Sequence, residues 1–214
     1  MAIISRIEEQ KKNKNRVNIY VDDEFFLATY KELVYAFGLK KGMDIDEESL
    51  RPIMEKEMYM KAQNKALNII SRSDKSEKTL RDRLLTEFEE GTVDKVIDFL
   101  KKYSFVDDET FAKRLTEKNS SVNKWGKNKI KQNLYSKGLS KENIADAMST
   151  IDEDTEYQNA LYAAKKKYNL IKDRDDDKRK IYQKLYQHLA YKGFNYEVTK
   201  RVINEVLNFS EFDY

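Results

Sequence analysis

The 214 residues carry 41 Lys and Arg against 38 Asp and Glu, a net charge of +3, so whole-chain electrostatics makes only a weak case for nucleic acid. Hydrophobic residues make up 40%, with six glycines and one proline, which points to a helix-rich protein with few tight turns. The lack of cysteine excludes disulfides, thiol catalysis and zinc fingers and fits a reducing, cytoplasmic setting, while no run approaches the ~18 apolar residues of a membrane span and MAIISRIEEQKKNKNR lacks the apolar stretch of a signal peptide.

In chain order, Val17, Ile19 and Val21 alternate with Asn18 and Tyr20, Asp22-Asp23-Glu24 follows, and 25–28 is apolar, a pattern of strand, turn, strand. Ile3, Ile4 and Ile7 supply a preceding strand, making a small antiparallel meander with KKNKNR as its basic hairpin tip. Residues 30–37 suffice for two helical turns, and Gly38 stands where a left-handed residue ends a helix. Pro52 belongs in the first turn of a helix capped near Ser49, because a deeper proline removes a hydrogen bond and clashes with the preceding turn.

Three stretches then share one apolar skeleton at a spacing of about fifty residues. Leu80, Ile130 and Leu185 correspond, as do Leu84, Leu134 and Leu189; Val96-Ile97 matches Ala147-Met148 and Val202-Ile203, and Leu100, Ile151 and Val206 close the pattern. YSKGLSKENI aligns with AYKGFNYEVT, so a glycine ends a helix in both, Ser140 and Asn195 cap the next one, and Leu139 and Phe194 precede the caps. The first copy has EFEEGTVDKVI instead, without that cap. Each copy parses as three helices: 58–71, 76–88 and 92–103; 107–119, 126–136 and 140–150; 155–168, 177–191 and 195–208. The expected fold is mainly α, tandem three-helix repeats stacked into an elongated, curved body, with a small N-terminal β-meander and helix. The expected boundaries are 1–50 for the β segment and short helix, then repeats over 51–104, 105–152 and 153–214.

Asp107, Asp108 and Glu109 could hold a cation, but no calcium-loop spacing follows, and capping explains them better: Asp107 as N-cap, two acids in the first turn, Val106 and Phe111 as a hydrophobic staple. Asp175, Asp176 and Asp177 read as a solvated loop or helix start. His188, the single histidine, cannot complete a zinc pair or a Ser-His-Asp site and is expected at a helix surface or boundary. No GxxxxGK[ST] loop occurs, so no catalytic residue, cofactor or metal is expected.

Charge is nevertheless segregated. Residues 111–138 hold eight Lys or Arg against the single acid Glu117, a local balance of +7, while 44–48 and 173–177 are acidic. Lys113, Arg114, Lys124, Lys127, Lys129, Lys131 and Lys137, with Trp125 at a helix start, are the foremost partner-binding candidates, for phosphates or an acidic protein surface. Their structural alternative is a solvated face, with Trp125 plugging the contact between copies. A second basic cluster, Lys165 to Lys167 and Lys178 to Lys180 with Arg179 between them, flanks the acidic loop; Lys165, Lys166, Lys178 and Arg179 join the candidates, although helical periodicity spreads them over more than one face. Arg81 and Arg83 lie near the repeat frame and complete the set.

The order and spacing of SEKTLRDRLL, VDDETFAKRL, the Lys-Gly pairs at 137–138 and 192–193, RVNIYVDDEF and GLKKG resemble the RecX family over essentially the whole chain. That resemblance implies a non-enzymatic modulator of the recombinase RecA, acting as a monomer along the groove of the RecA filament on single-stranded DNA. It implies less filament growth, ATPase activity, strand exchange and SOS co-protease activity. The competing readings are a helix-turn-helix-like DNA-binding protein acting without RecA, and a helical scaffold for another partner.

Overall fold

The computed structural model describes residues 2–173 and 177–207. Packing divides the chain into two compact units, Met1–Ser73 with Leu80–Phe105, and Asp74–Thr79 with Val106–Tyr214.

The first unit opens on three antiparallel strands, β1 (Ala2–Glu9), β2 (Arg16–Val21) and β3 (Glu24–Tyr30), as the alternation predicts. Glu24 lies in the strand and the turn is only Asp22-Asp23, both at positive φ (47° and 66°), the left-handed pair that suits a two-residue hairpin. A two-residue strand β4 (Asp44–Ile45), too short for any periodicity, pairs with β1 and gives the order β3-β2-β1-β4. Ile4, Val17, Ile19 and Val21 bury one face with Leu39, Ile45 and Ile53. Helix α1 (Lys31–Ala36) ends at Gly38, φ 62°, as expected.

Helix α2 (Glu47–Ile70) corrects two expectations. Its cap is Asp46: that carboxylate accepts the Ser49 N–H at 2.8 Å while the Ser49 hydroxyl accepts the Asp46 N–H at 3.1 Å, so Ser49 is the third helical residue of a capping box. Pro52 consequently lies past the first turn, where it forfeits one ladder bond without ending the helix. Farther along, Glu57 is 6% exposed yet ionised, because its carboxylate meets the Arg16 guanidinium (2.7 Å), the Thr29 hydroxyl (2.7 Å), the Tyr30 N–H (3.1 Å) and Lys61 (3.2 Å). Burial raises its pKa, but these donors outweigh burial and hold it below the usual range. The network fastens α2 to β2 and β3. In α3 (Glu77–Leu84) and α4 (Glu90–Lys102), Leu80, Leu84, Val93, Val96, Ile97 and Leu100 are fully buried. The predicted helix over 76–88 is shorter, since turns follow Leu84, and its successor starts at Glu90 rather than Thr92. Glu89 makes no side-chain cap there, in keeping with the missing cap in EFEEG.

The second unit carries two complete three-helix copies, α5 (Asp108–Ser121), α6 (Lys127–Ser136) and α7 (Lys141–Ser149), then α8 (Glu153–Ile171), α9 (Lys178–Lys192) and α10 (Tyr196–Leu207). The repeat skeleton is the core in each: Ile130, Leu134, Ala147 and Ile151 are buried with Ala112, Leu139 and Ile144, and Leu185, Leu189, Val202 and Ile203 with Ala160, Ala164 and Phe194. Gly138 and Gly193 are left-handed, φ 77° and 86°. Ser140 and Asn195 accept the N–H of Asn143 and Val198 at 3.1 and 2.8 Å, as the aligned junctions predict. Asp107 caps α5 through the Thr110 N–H at 3.0 Å, and Asp177 caps α9 through the Arg179 N–H at 2.8 Å. Asp175, Asp176 and the predicted helix end at Asn208 lie outside the described residues.

Candidate functional site

Within the second unit, two joints follow a common plan. At the first, the Ser76 hydroxyl donates to the Lys137 carbonyl, the Thr79 hydroxyl donates to the same oxygen at 3.2 Å, and the Glu77 N–H donates to Asp108 Oδ1 at 2.8 Å. Asp108 therefore does more than complement the α5 dipole: it caps the start of α3. At the second joint, the Gly126 N–H donates to the Lys192 carbonyl at 2.8 Å, the Asn128 N–H to the Gly193 carbonyl at 3.1 Å, and the Lys127 N–H to Glu156 Oε1 at 3.2 Å. In both, the residues that open a middle helix, 76–79 and 126–128, sit on a Lys-Gly turn, and a carboxylate from the first helix of the copy that carries the turn takes the first helical amide.

These joints absorb several of the cations nominated from sequence. Arg114 pairs with Asp74 at 3.2 Å and Lys127 with the buried Glu156 at 3.6 Å, while Lys113 pairs within α5 with Glu109, one turn earlier, at 2.6 Å. In the first unit Arg81 pairs with Asp94, and in the second Lys165 lies 4.0 Å from Glu205. Trp125 is half-buried against the core of the second copy, its ring 4.8 Å from the Lys129 ammonium, close to the structural alternative of a plug. Lys131, Lys137, Lys166, Arg179 and Arg83 have exposed side chains, and Lys124, at φ 51°, is half-buried in the turn before α6. Lys113 and Arg114 border a cavity of about 420 Å³ with Ser120, Thr150 and Ile151.

The second basic cluster is not one stripe. Lys178 and Arg179 begin α9 and Lys192 ends it, a separation of roughly 20 Å at 1.5 Å per residue. Lys166 and Lys167 instead act on groups toward the far end of that helix, Lys166 on Lys192 and Lys167 on His188. Burial first, then Lys129 and Lys166 for Lys192 and Lys192 and Lys167 for His188, depress both pKa values, and His188 is half-buried on α9, at the boundary between its core and solvent faces, as expected. Lys192 and Glu156 were not legible as site residues, whereas Tyr191 belongs to a run of third-copy tyrosines that the sequence left open between packing and stacking on bases. The recurring Lys-Gly pair was a visible signal, but what docks on it depends on which helix ends face it.

Among the described residues no helix is long and apolar enough to cross a membrane, and no group of three or more His, Asp or Glu is placed to hold a metal ion.

Comparison with known proteins follows the same division. Family models match in chain order: the regulatory protein RecX N-terminal domain over residues 2–46, and the first, second and third three-helix domains of RecX over 62–100, 107–148 and 154–203. The chain is 56% identical to the regulatory protein RecX of Clostridioides difficile (strain 630) over 213 residues, covering 100% of both, and 42% identical to that of Clostridium beijerinckii, covering 97% of each. A crystal structure of regulatory protein RecX superposes with a TM-score of 0.70 at 26% identity, covering 94% of this chain and 98% of that one. The RecX structure from Lactobacillus salivarius, at 23% identity, shares the fold with a TM-score of 0.64 over 72% of this chain and 99% of its own. Full-length identity, domain order and fold agree, and the chain belongs to the RecX family of regulatory proteins.

Proposed function

We propose that this protein binds the RecA filament on single-stranded DNA and restrains it, reducing filament growth, ATPase turnover, strand exchange and SOS co-protease activity. In this reading it is a cytoplasmic monomer without catalysis of its own, built from an N-terminal module, 1–50, and three-helix repeats over 51–104, 105–152 and 153–214. The observation that carries the reading is full-length similarity to relatives named as regulatory proteins. Cations with exposed side chains, Lys131, Lys137, Lys166, Arg179 and Arg83, are the candidate contacts, assisted by Lys124; those in buried or close ion pairs, Lys127 above all, serve the fold first.

A titration into a RecA strand-exchange reaction tests this: the rate should fall at or below stoichiometric amounts. Lys131→Glu with Lys137→Glu should weaken filament binding by about tenfold while the helical circular-dichroism signal stays unchanged, on the order of 1.4 kcal/mol for lost charge contacts. An unaltered rate across the titration, with no filament binding, would discard the proposal. Tight, salt-steep duplex binding that RecA does not affect would favour the DNA-binding alternative.

A further inference from the structure

Around the last turn of α9 the fold gathers like charges and fixes them in place. The Lys192 ammonium donates to the Asn123 carbonyl at 3.1 Å, and the Lys129 ammonium donates to the Tyr191 carbonyl at 3.3 Å. Lys129 also lies 3.9 Å from the centre of the Tyr191 ring and 4.8 Å from that of Trp125. After burial, the influences that depress Lys192 are Lys129 and Lys166, and those that depress His188 are Lys192 and Lys167. Cations held this close disfavour one another's charged form. Anchoring two of them on carbonyl oxygens leaves a fixed positive field whose cost an arriving anion relieves.

Beside that field stands an aromatic face. Tyr191 is 76% exposed although its neighbours Leu189 and Phe194 are buried, so its ring lies outside the core, with one face toward Lys129 and the rest open to solvent. Acidic side chains bring carboxylates but no flat face to lie on a ring, and a duplex keeps its base faces stacked, whereas a single strand presents phosphates and free base faces together.

We propose that Lys129, Lys166 and Lys192, with Tyr191, form a subsite for single-stranded nucleic acid, the lysines holding phosphodiester oxygens and Tyr191 stacking a base. It rests on the filament reading for the choice of single-stranded DNA as ligand, and adds a direct contact to that DNA, tested with the filament absent.

The probe is a fluorescein-labelled oligothymidylate of about 12 nucleotides, within the roughly 4–16 nucleotides that small single-strand sites cover, titrated with the full-length protein by anisotropy over a salt series. Lys166→Gln with Lys192→Gln should weaken binding about tenfold and flatten the log affinity against log salt slope by about 1.4, at roughly 0.7 per lost phosphate contact. Tyr191→Ala should weaken binding by about tenfold without altering the slope, and Tyr191→Phe should restore it, since stacking needs the ring and not the hydroxyl. Lys40→Gln with Lys41→Gln removes the same charge from the other compact unit and should change neither quantity. In the unmodified protein Trp125, the single tryptophan, should be quenched as the oligonucleotide binds. No binding, no quenching, a wild-type response of Tyr191→Ala, or an equal loss in the Lys40/Lys41 control overturns the subsite. Binding of oligoglutamate with the same dependence on Lys166 and Lys192, in place of the oligonucleotide, overturns it in favour of an acidic protein partner. Intact oligonucleotide binding beside failed filament inhibition removes the functional reading alone, and the converse removes the subsite alone.

Discussion

At the first joint Ser76 and Thr79 bring hydroxyls to the Lys137 carbonyl, and a side chain, that of Lys78, covers Gly138; at the second, Gly126 and Gly193 meet backbone to backbone. A Cβ on Gly138 would fall 2.6 Å from the flexible Lys78 chain, whereas one on Gly126 would fall 2.4 Å from the Gly193 carbonyl, and one on Gly193 2.4 Å from the Lys129 backbone nitrogen. The capping carboxylates differ in the same sense: Glu156 is 4% exposed, and Asp108 sits in the partly exposed first turn of α5. One plan is thus built once from adaptable side chains and once from rigid main chain. The rigid version is the one that anchors the proposed cation cluster.

The largest expected contrast is between the glycines. Gly193→Ala combines a left-handed residue, about 1–2 kcal/mol, with a backbone collision of about 1–3 kcal/mol, so a loss of about 3 kcal/mol in urea unfolding is expected. Gly138→Ala shares the first term, and although the Lys78 Cδ at 2.6 Å can swing away, its Cβ at 2.9 Å cannot, so about 2 kcal/mol is expected. Equal losses would show that the two joints do not differ in rigidity. Next come the carboxylates. Glu156→Ala strands the part-buried Lys127 N–H and leaves its half-buried ammonium unpaired, and should cost about 2 kcal/mol, against about 1 kcal/mol for Asp108→Ala, both read from denaturation midpoints.

Gly91 supplies the counter-example. It lies in α4, at the junction without a left-handed turn, and a Cβ there would meet nothing within 4 Å. Gly91→Ala should therefore stabilise, by about 0.5–1 kcal/mol, and a destabilised variant would mean that this junction too is closely packed. The smallest effect is an acid one. Asp107, chiefly through the Thr110 hydroxyl, and Asp152, chiefly through the Thr155 N–H, are held below the ordinary Asp range. Their contribution is complete above an unfolded value near ~3.9 and is lost as pH falls through the lower folded value. Asp107→Asn and Asp152→Asn should each flatten the fall in melting temperature in that acid window, with little change in its slope near neutral pH.

What could be read in advance follows from how local each cause is. Leu80, Ile130 and Leu185 share one environment because three copies repeat one helical face, and all three are fully buried. Asp107, Ser140 and Asn195 cap helices because a short oxygen-bearing side chain reaches its own next turn. Pro52 misled because its local preference for a first turn was overridden by the Asp46–Ser49 box just upstream. The basic segment was legible as a run of charge but not as a surface: Arg114, Lys113 and Lys127 proved to have partners on or beside the joints.

The sequence by itself therefore determined the helical copies, their caps, their cores and the family, since each depends on neighbours a few residues away or on a repeated pattern. The tertiary structure alone decided which cations are spent on carboxylates and which converge. Lys129 and Lys192 are 63 positions apart, and only the seating of Gly126 against Gly193 brings them together. Charge acts through distance in space, and that distance is set by how the copies join.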